Sequence, residues 1–151
     1  MSNKIPTKAT RLVASSFAKY SSDLIGQTVR KFDISIAEMV IIALVFVEST
    51  RPLREDSYLA SKFGFDHRPL PNEYRLSVSL KFIHTSLGLS RETARRKLGR
   101  LVERGLLARI NGGYVYHITP ETSHFSAGVR ATLVKSVESM AALVDRLPSP
   151  D

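Results

Sequence analysis

Cysteine is absent from the 151 residues, and acidic side chains are few, 14 against 22 lysines and arginines. Without cysteine, disulfides, thiolate catalysis, thiolate zinc sites and iron–sulfur ligation are all excluded. A reducing cytoplasm is compatible with that composition and is the expected location. Long apolar runs are scarce as well. The most apolar one, IAEMVIIALVFV at positions 36–47, has about two-thirds of the length a bilayer crossing needs and contains Glu38. It reads as a buried core helix, so no membrane partner is expected. The first residues, MSNKIPTKATRLVASSF, lack the uninterrupted apolar core and small-residue cleavage site of a signal peptide, and export is not expected. The four histidines, His67, His84, His117 and His124, are scattered without metal-ligand spacing, and no GxSxG, Walker or GxGxxG string occurs. Catalysis is therefore not expected, and no cofactor is implied.

What is present is an ordinary globular composition with an unusual charge. A hydrophobic share of 43% and a charged share of 24% suit one soluble domain long enough to bury a proper core. The net charge of +8 and a pI of about 10.0 make polyanions the natural partners. Positions 90–109 alone hold seven basic side chains against two acidic ones, or +5 of the total.

The pattern along the chain gives these charges a scaffold. Val13, Phe17, Tyr20 and Leu24 mark a helix over 10–32, with Lys4 to Lys8 before it expected to fray. Ser35 and Glu38 stand at capping-box spacing and place a second helix over 36–50. Positions 51–73, with Pro52, Pro69, Pro71 and Gly64 among Tyr58, Phe63 and Phe65, read as a long connection containing at most one short helix. Tyr74, Leu76 and Val78 alternate with polar residues, as in a short strand with one buried face.

Ser79 can cap a helix over 80–87 that puts Leu80, Ile83 and Leu87 on one side. Gly88 ends it in a left-handed conformation. Ser90 is then an N-cap for a basic helix over 91–104. Gly105 closes that helix and Leu106 and Leu107 return to the core. A hairpin over 108–119 turns at Asn111-Gly112, because a type I′ turn needs positive φ at both positions. Pro120 stops the strand. A last helix over 123–147 carries Leu133, Val137, Met140, Val144 and Leu147 at alternating spacings of four and three.

Helix, glycine turn, basic helix and hairpin, in that order, make a winged helix-turn-helix. The fold expected is mainly α with a small β-hairpin wing (α+β). The division expected is an N-terminal helix at 1–32, a winged domain at 33–120 and a C-terminal helix at 121–151. Either terminal helix is a candidate for dimerisation. The stripes are two heptads at most, short of the three or four that mark a coiled coil, so packing within one chain stays open beside it.

On a 100° wheel, Ala94, Leu98, Leu101 and Val102 share one face of the basic helix, while Glu92, Arg96, Gly99 and Glu103 lie opposite and Arg95 and Arg100 flank them. One face can pack on its own domain and the other can lie in the major groove, which is wide enough to admit it. In the hairpin, Arg109 and Asn111 are candidates for a phosphate or the adjacent minor groove, equally readable as a plain exposed turn. Gly99 costs about 1 kcal/mol of helix stability relative to Ala and suits either close approach of a DNA backbone or neutral drift.

The string GLSRETARRKLGRLVERGLL followed by ARINGGYVYHI resembles the DNA-binding segment of the Crp/Fnr (cyclic-AMP receptor protein) regulators, over about residues 75–118. The resemblance implies base-edge contacts by Arg91, Glu92 and Arg96. That is sensible chemistry, since Arg pairs bidentately with guanine O6 and N7 and Glu accepts from the cytosine amino group. Two core positions depart from the family, His84 where Ala or Gly is usual and Lys97 where an aliphatic is common. Nothing in the first 73 residues resembles that family's cyclic-nucleotide domain, so cyclic-nucleotide control is not implied. In element order alone the chain also resembles MarR-type regulators, whose terminal helices build a dimer.

The expectation is a bacterial-type transcriptional regulator that binds double-stranded DNA as a homodimer, with no effector identified. Arg91, Glu92 and Arg96 would specify bases, and Thr93, Arg95, Arg100 and Arg109 would hold phosphates, with Ser90 and Asn111 at the edges of the surface. The alternative is a winged-helix protein-interaction module that tethers DNA only loosely.

Overall fold

The computed structural model describes residues 10–64, 68–116 and 119–146. The sequence readings at Lys4 to Lys8, Phe65, His67, His117 and Leu147, and the far end of the expected hairpin at 117–118, fall outside these residues. The chain divides into two compact units, Ile34–Phe125 and a second made of the flanking segments. The fold is mainly helical with one two-stranded antiparallel sheet among the described residues, the winged helix-turn-helix expected.

The second unit contains α1 (Thr10–Phe32) and most of α7 (Pro120–Asp145). The end of α1 meets α7 at Gly128, where an added Cβ would sit 2.9 Å from a ring carbon of Phe32 and 3.1 Å from Lys31 Nζ. One turn further on, the Thr132 hydroxyl donates to Gln27 Oε1 at 3.3 Å. Beyond this crossing the apolar stripe of α7 is uncovered, with Leu133, Val134, Val137 and Val144 all exposed.

In the central unit, α2 (Ile36–Ser49) starts at the expected capping box: Ser35 Oγ accepts from the Glu38 N–H at 3.1 Å and a Glu38 oxygen accepts from the Ser35 N–H at 2.7 Å. Ile41, Ile42 and Val45 on α2 meet Ile83, Leu98, Leu101 and Val115 in the core. Ser49, fully buried at the end of α2, ties two segments together. Its carbonyl accepts from the Leu76 N–H at 3.1 Å and its hydroxyl from the Tyr116 N–H at 3.4 Å.

The connection departs from expectation by holding two short helices, α3 (Pro52–Glu55) and α4 (Ser57–Phe63). Pro52 at the start of α3 is already in helical φ, and Asp56 Oδ1 caps α4 by accepting from the N–H groups of Tyr58 and Leu59 at 2.8 and 3.2 Å. The expected strand at 74–78 is also corrected. Asn72–Tyr74 is a 3-10 turn, Tyr74 and Leu76 are exposed, and only Val78 pairs, in one antiparallel bridge to Tyr114. The physical reason is a missing ladder: the Leu76 N–H is spent on Ser49, leaving one residue to reach the sheet.

The helix-turn-helix consists of α5 (Leu80–Leu87) and α6 (Arg91–Glu103). Ser79 Oγ caps α5 by accepting from the Phe82 N–H at 3.1 Å, and Gly88 ends it at φ +65°. Of the expected apolar side, Ile83 is fully buried while Leu80 and Leu87 are half-buried. Gly105, at φ +71°, turns the chain after α6, and Leu106 and Leu107 enter the core as expected.

The wing is β1 (Ala108–Ile110) paired with β2 (Gly113–Val115), with Asn111 at φ +53° and Gly112 at φ +72° making the turn. Helix α7 begins three residues earlier than expected, at Pro120, which opens it instead of merely ending a strand. Thr119 is the cap: its hydroxyl accepts from the Thr122 N–H at 3.1 Å while the Thr122 hydroxyl accepts from the Thr119 N–H at 2.7 Å. Proline at the first helical position loses an N–H that would have no partner anyway.

Candidate nucleic-acid interface

Helix α6 is divided as its wheel requires, with Ala94, Leu98 and Leu101 completely buried and Glu92, Arg95, Arg96, Gly99 and Arg100 exposed; Arg91, which falls near the apolar stripe, is exposed because it sits in the first turn. Its start is rigid. Ser90 Oγ accepts from the Thr93 N–H at 3.1 Å and donates to Thr93 Oγ1 at 2.8 Å, so both hydroxyls belong to the cap. The macrodipole and unpaired amides of this first turn favour an anion beside Ser90 and Thr93.

The charged face is not uniform. Arg95 grips Glu92 fork to fork, Nε to Oε2 at 2.9 Å and Nη2 to Oε1 at 2.7 Å. Those hydrogen bonds from Arg95, followed by the charges of Arg95 and Arg96, hold the Glu92 carboxyl below the usual range, and the same pairing raises Arg95. Both side chains are exposed to solvent, so the pair orders the surface more than it stabilises the fold. Arg91 and Arg96 make no hydrogen bond or ion pair with any described residue, and their guanidinium donors face solvent. Next to Arg96 on the same face, Gly99 is open: a Cβ built there meets nothing within 4 Å.

Arg100 and Lys97, on the flank turned toward α2, are held differently. Arg100 Nη1 lies 3.1 Å from Oε1 of Glu38, whose side chain is 1% exposed, and Lys97 donates to Ser35 Oγ at 3.2 Å. Lys97 stands where the Crp/Fnr family that the segment resembles commonly has an aliphatic; it is half-buried with its ammonium on the start of α2. Neither contact is visible in local spacing, since each spans 62 positions.

In the wing, Arg109 stacks its guanidinium 5.5 Å from the ring centre of Tyr114, its cross-strand partner. Asn111 and Gly112 are exposed at the tip. The wing is fastened to the preceding segment at Gly113, where a Cβ would lie 2.9 Å from both Ser77 Oγ and the Val78 carbonyl. The sequence reading did not single out Gly113, and the NGG string at the turn hides its separate role. Arg75 was missed too. It donates through Nε to the Leu70 carbonyl at 2.9 Å and through Nη1 to the Tyr116 carbonyl, and burial pushes its pKa down from the ordinary value.

Among the described residues no three metal-ligating side chains come together, and no helix is long and apolar enough to cross a membrane. Residues 74–119 match the family model of the DeoR-like helix-turn-helix domain. A DeoR-like helix-turn-helix is therefore present, on nearly the span that resembles the Crp/Fnr segment, and the match carries neither the Crp/Fnr base contacts nor the MarR-type dimer. No curated protein and no solved structure matches the chain.

Proposed function

We propose that the protein is a transcriptional regulator that binds double-stranded DNA sequence-specifically as a homodimer, with α6 in the major groove and the wing against the backbone or adjacent minor groove. The observation that carries this reading is the contrast along α6, with three side chains completely buried on one face, Arg96 exposed on the other and Arg91 exposed in the first turn, neither arginine making a hydrogen bond or ion pair with a described residue. Exposed guanidinium groups on a capped helix are ready donors for guanine edges and phosphates.

In this reading Arg91 and Arg96 meet base edges, and Glu92, aligned by Arg95, accepts from a cytosine. Arg95, Thr93 and Arg109 lie toward phosphates, Ser90 sets the entry of the helix, and Asn111 extends the wing tip. Arg100, half exposed beside Glu38, lies at the edge of this surface. The uncovered stripe of α7 and the exposed Leu12 and Phe17 of α1 support self-association, and a twofold protein reads a palindrome with half-sites about 34 Å apart.

The test is selection of bound fragments from a random double-stranded pool, followed by titration of the selected site against scrambled DNA at physiological salt. A preference of a thousandfold or more supports the regulator, and Arg96→Ala should then lose roughly 5- to 150-fold at one G·C pair while scrambled DNA binds almost as before. A ratio near one would replace this reading with that of a protein-interaction module holding DNA loosely.

A further inference from the structure

The sequence makes α2 a core helix, yet the structure buries only one side of it. The one charged residue over 36–47, Glu38, is turned inward and 1% exposed. The side chains left in solvent are all apolar: Ile36, Val40, Ala43, Phe46 and Val47, with Ile36 63% exposed. A helix without a polar side ordinarily has neighbours all round, and an exposed apolar patch marks a contact surface. Lipid is a poor partner for it. The 14 residues of α2 are too few to span a bilayer, and the helix has no lysine or arginine of its own with which to lie on anionic headgroups.

Ile36, Val40, Ala43 and Val47 form a line with spacings of four, three and four, about 16 Å from end to end. The uncovered stripe of α7 has the same form. Leu133, Val137, Met140 and Val144 repeat those spacings over the same length, with Met140 half-buried and the other three exposed. Neither line contains a charge, as the centre of a protein contact requires.

Bulk and symmetry choose between the possible pairings. Ala43 leaves a notch in the α2 line. A second α2 would bring its own Ala43 and a second notch, whereas α7 offers Val137 or Met140 to fill it. Pairing α2 with α2 and α7 with α7 would also need two separate twofold contacts. Pairing α2 of each copy with α7 of the other covers all four lines in one closed, reciprocal dimer.

We infer that the apolar face of α2 is the docking site for the α7 stripe of a second copy of this chain. The inference rests on the homodimer proposed above and names its contact. Because α2 belongs to the winged unit, such a dimer joins the DNA-reading units themselves and not only the flanking helices.

The absence of cysteine from the chain makes site-directed linking clean. Ala43→Cys and Val137→Cys, both at exposed positions, are made in separate full-length chains of different tag mass. They are mixed, allowed to exchange subunits and treated with a bismaleimide that spans about one helical turn. Expected is a mixed product with one chain of each kind, and little linked product from either variant alone. Linking of Ala43→Cys to itself would put α2 on α2, and linking of Val137→Cys only to itself would put α7 on α7; either overturns the inference. A dimer that gives no linked product leaves the α2 face to something other than a second copy and overturns it too.

Charge reversal gives a second reading by sedimentation. Ile36→Glu with Ala43→Glu should weaken the dimer by about a hundredfold, and so should Leu133→Lys with Val137→Lys. All four substitutions in one chain should recover at least about tenfold of that loss, since opposite charges then face each other across the contact. No recovery overturns the inference. Should a charged variant lose its thermal transition, the linking experiment decides alone. A wild type that sediments as a monomer at every concentration removes the homodimer reading and this inference together, while a dimer without the α2–α7 link removes this inference only.

Discussion

Arg95 donates two parallel hydrogen bonds to Glu92, at 2.9 and 2.7 Å, on the outer face of a helix where each could have faced water. The pair is one turn apart, with Glu92 in the first turn where its charge suits the helix dipole. It presents a preformed acceptor and a preformed donor side by side.

The pairing fixes a sign for pH. The folded-state pKa of Glu92 is lowered, first by the Arg95 hydrogen bonds. Whatever the pair contributes is therefore present above the unfolded-state pKa of Glu92 and lost as pH falls through the lower folded value. The side-chain carboxyl resonance of Glu92 should titrate below the ordinary glutamate range and move upward in Arg95→Ala. An unchanged midpoint in that variant would remove Arg95 as the cause.

Gly99 offers a separation of stability from binding. Because a Cβ there meets nothing within 4 Å, Gly99→Ala should stabilise the free protein by about 0.5–1 kcal/mol, read from chemical denaturation. With α6 in a groove the same methyl group would face DNA, so affinity should fall while the denaturation midpoint rises. Two effects of the same sign would place Gly99 away from the interface.

At the wing, neighbouring glycines should respond for different reasons. Gly112→Ala is strained by its φ of +72° with open space around it, at a cost of roughly 1–2 kcal/mol. Gly113→Ala meets the Ser77 hydroxyl and the Val78 carbonyl at 2.9 Å and should cost about 1–3 kcal/mol by forcing backbone apart. Amide exchange at Val78 and Tyr114 distinguishes them, accelerating in the second variant and much less in the first.

The stripe on α7 predicts an oligomeric effect without a folding effect. Leu133 is 45% and Val137 57% exposed, so Leu133→Glu with Val137→Glu removes little packing within one chain. Sedimentation should show a dimer for the wild type and a monomer for the double variant, with equal helical content by circular dichroism. A dimer that survives both charges would place the interface elsewhere.

Much of this architecture was legible because its signals are local. Ser35 with Glu38, Ser79, Gly88, Ser90 and Asn111-Gly112 each act within four residues, and each stands where the spacing put it. The connection at 51–73 was misread for the opposite reason: prolines and a glycine suggested loop, while Pro52 and Asp56 in fact begin two helices. The apparent strand at 74–78 shows that alternation marks only the possibility of a ladder; a partner must exist, and just Val78 has one. At the candidate interface, the exposure of Arg96 followed from the helical wheel, while that of Arg91, which falls near the apolar stripe, depends on its place in the first turn. The pairing of Arg100 with Glu38 could not, because burial of a carboxylate 62 positions away is a property of packing and leaves no periodic trace.

The single bridge between Val78 and Tyr114, closed by hydrogen bonds in which each N–H donates to the other's carbonyl at 2.8 and 2.9 Å, occupies the outer side of β2. Among the described residues the sheet then has one open margin beyond that bridge, along β1, three residues long with Arg109 exposed at its centre. So short a margin, bearing a cation, is a poor template for strand addition. Edge-to-edge aggregation through the wing is thereby discouraged, even at the high local crowding that several copies on neighbouring sites would create.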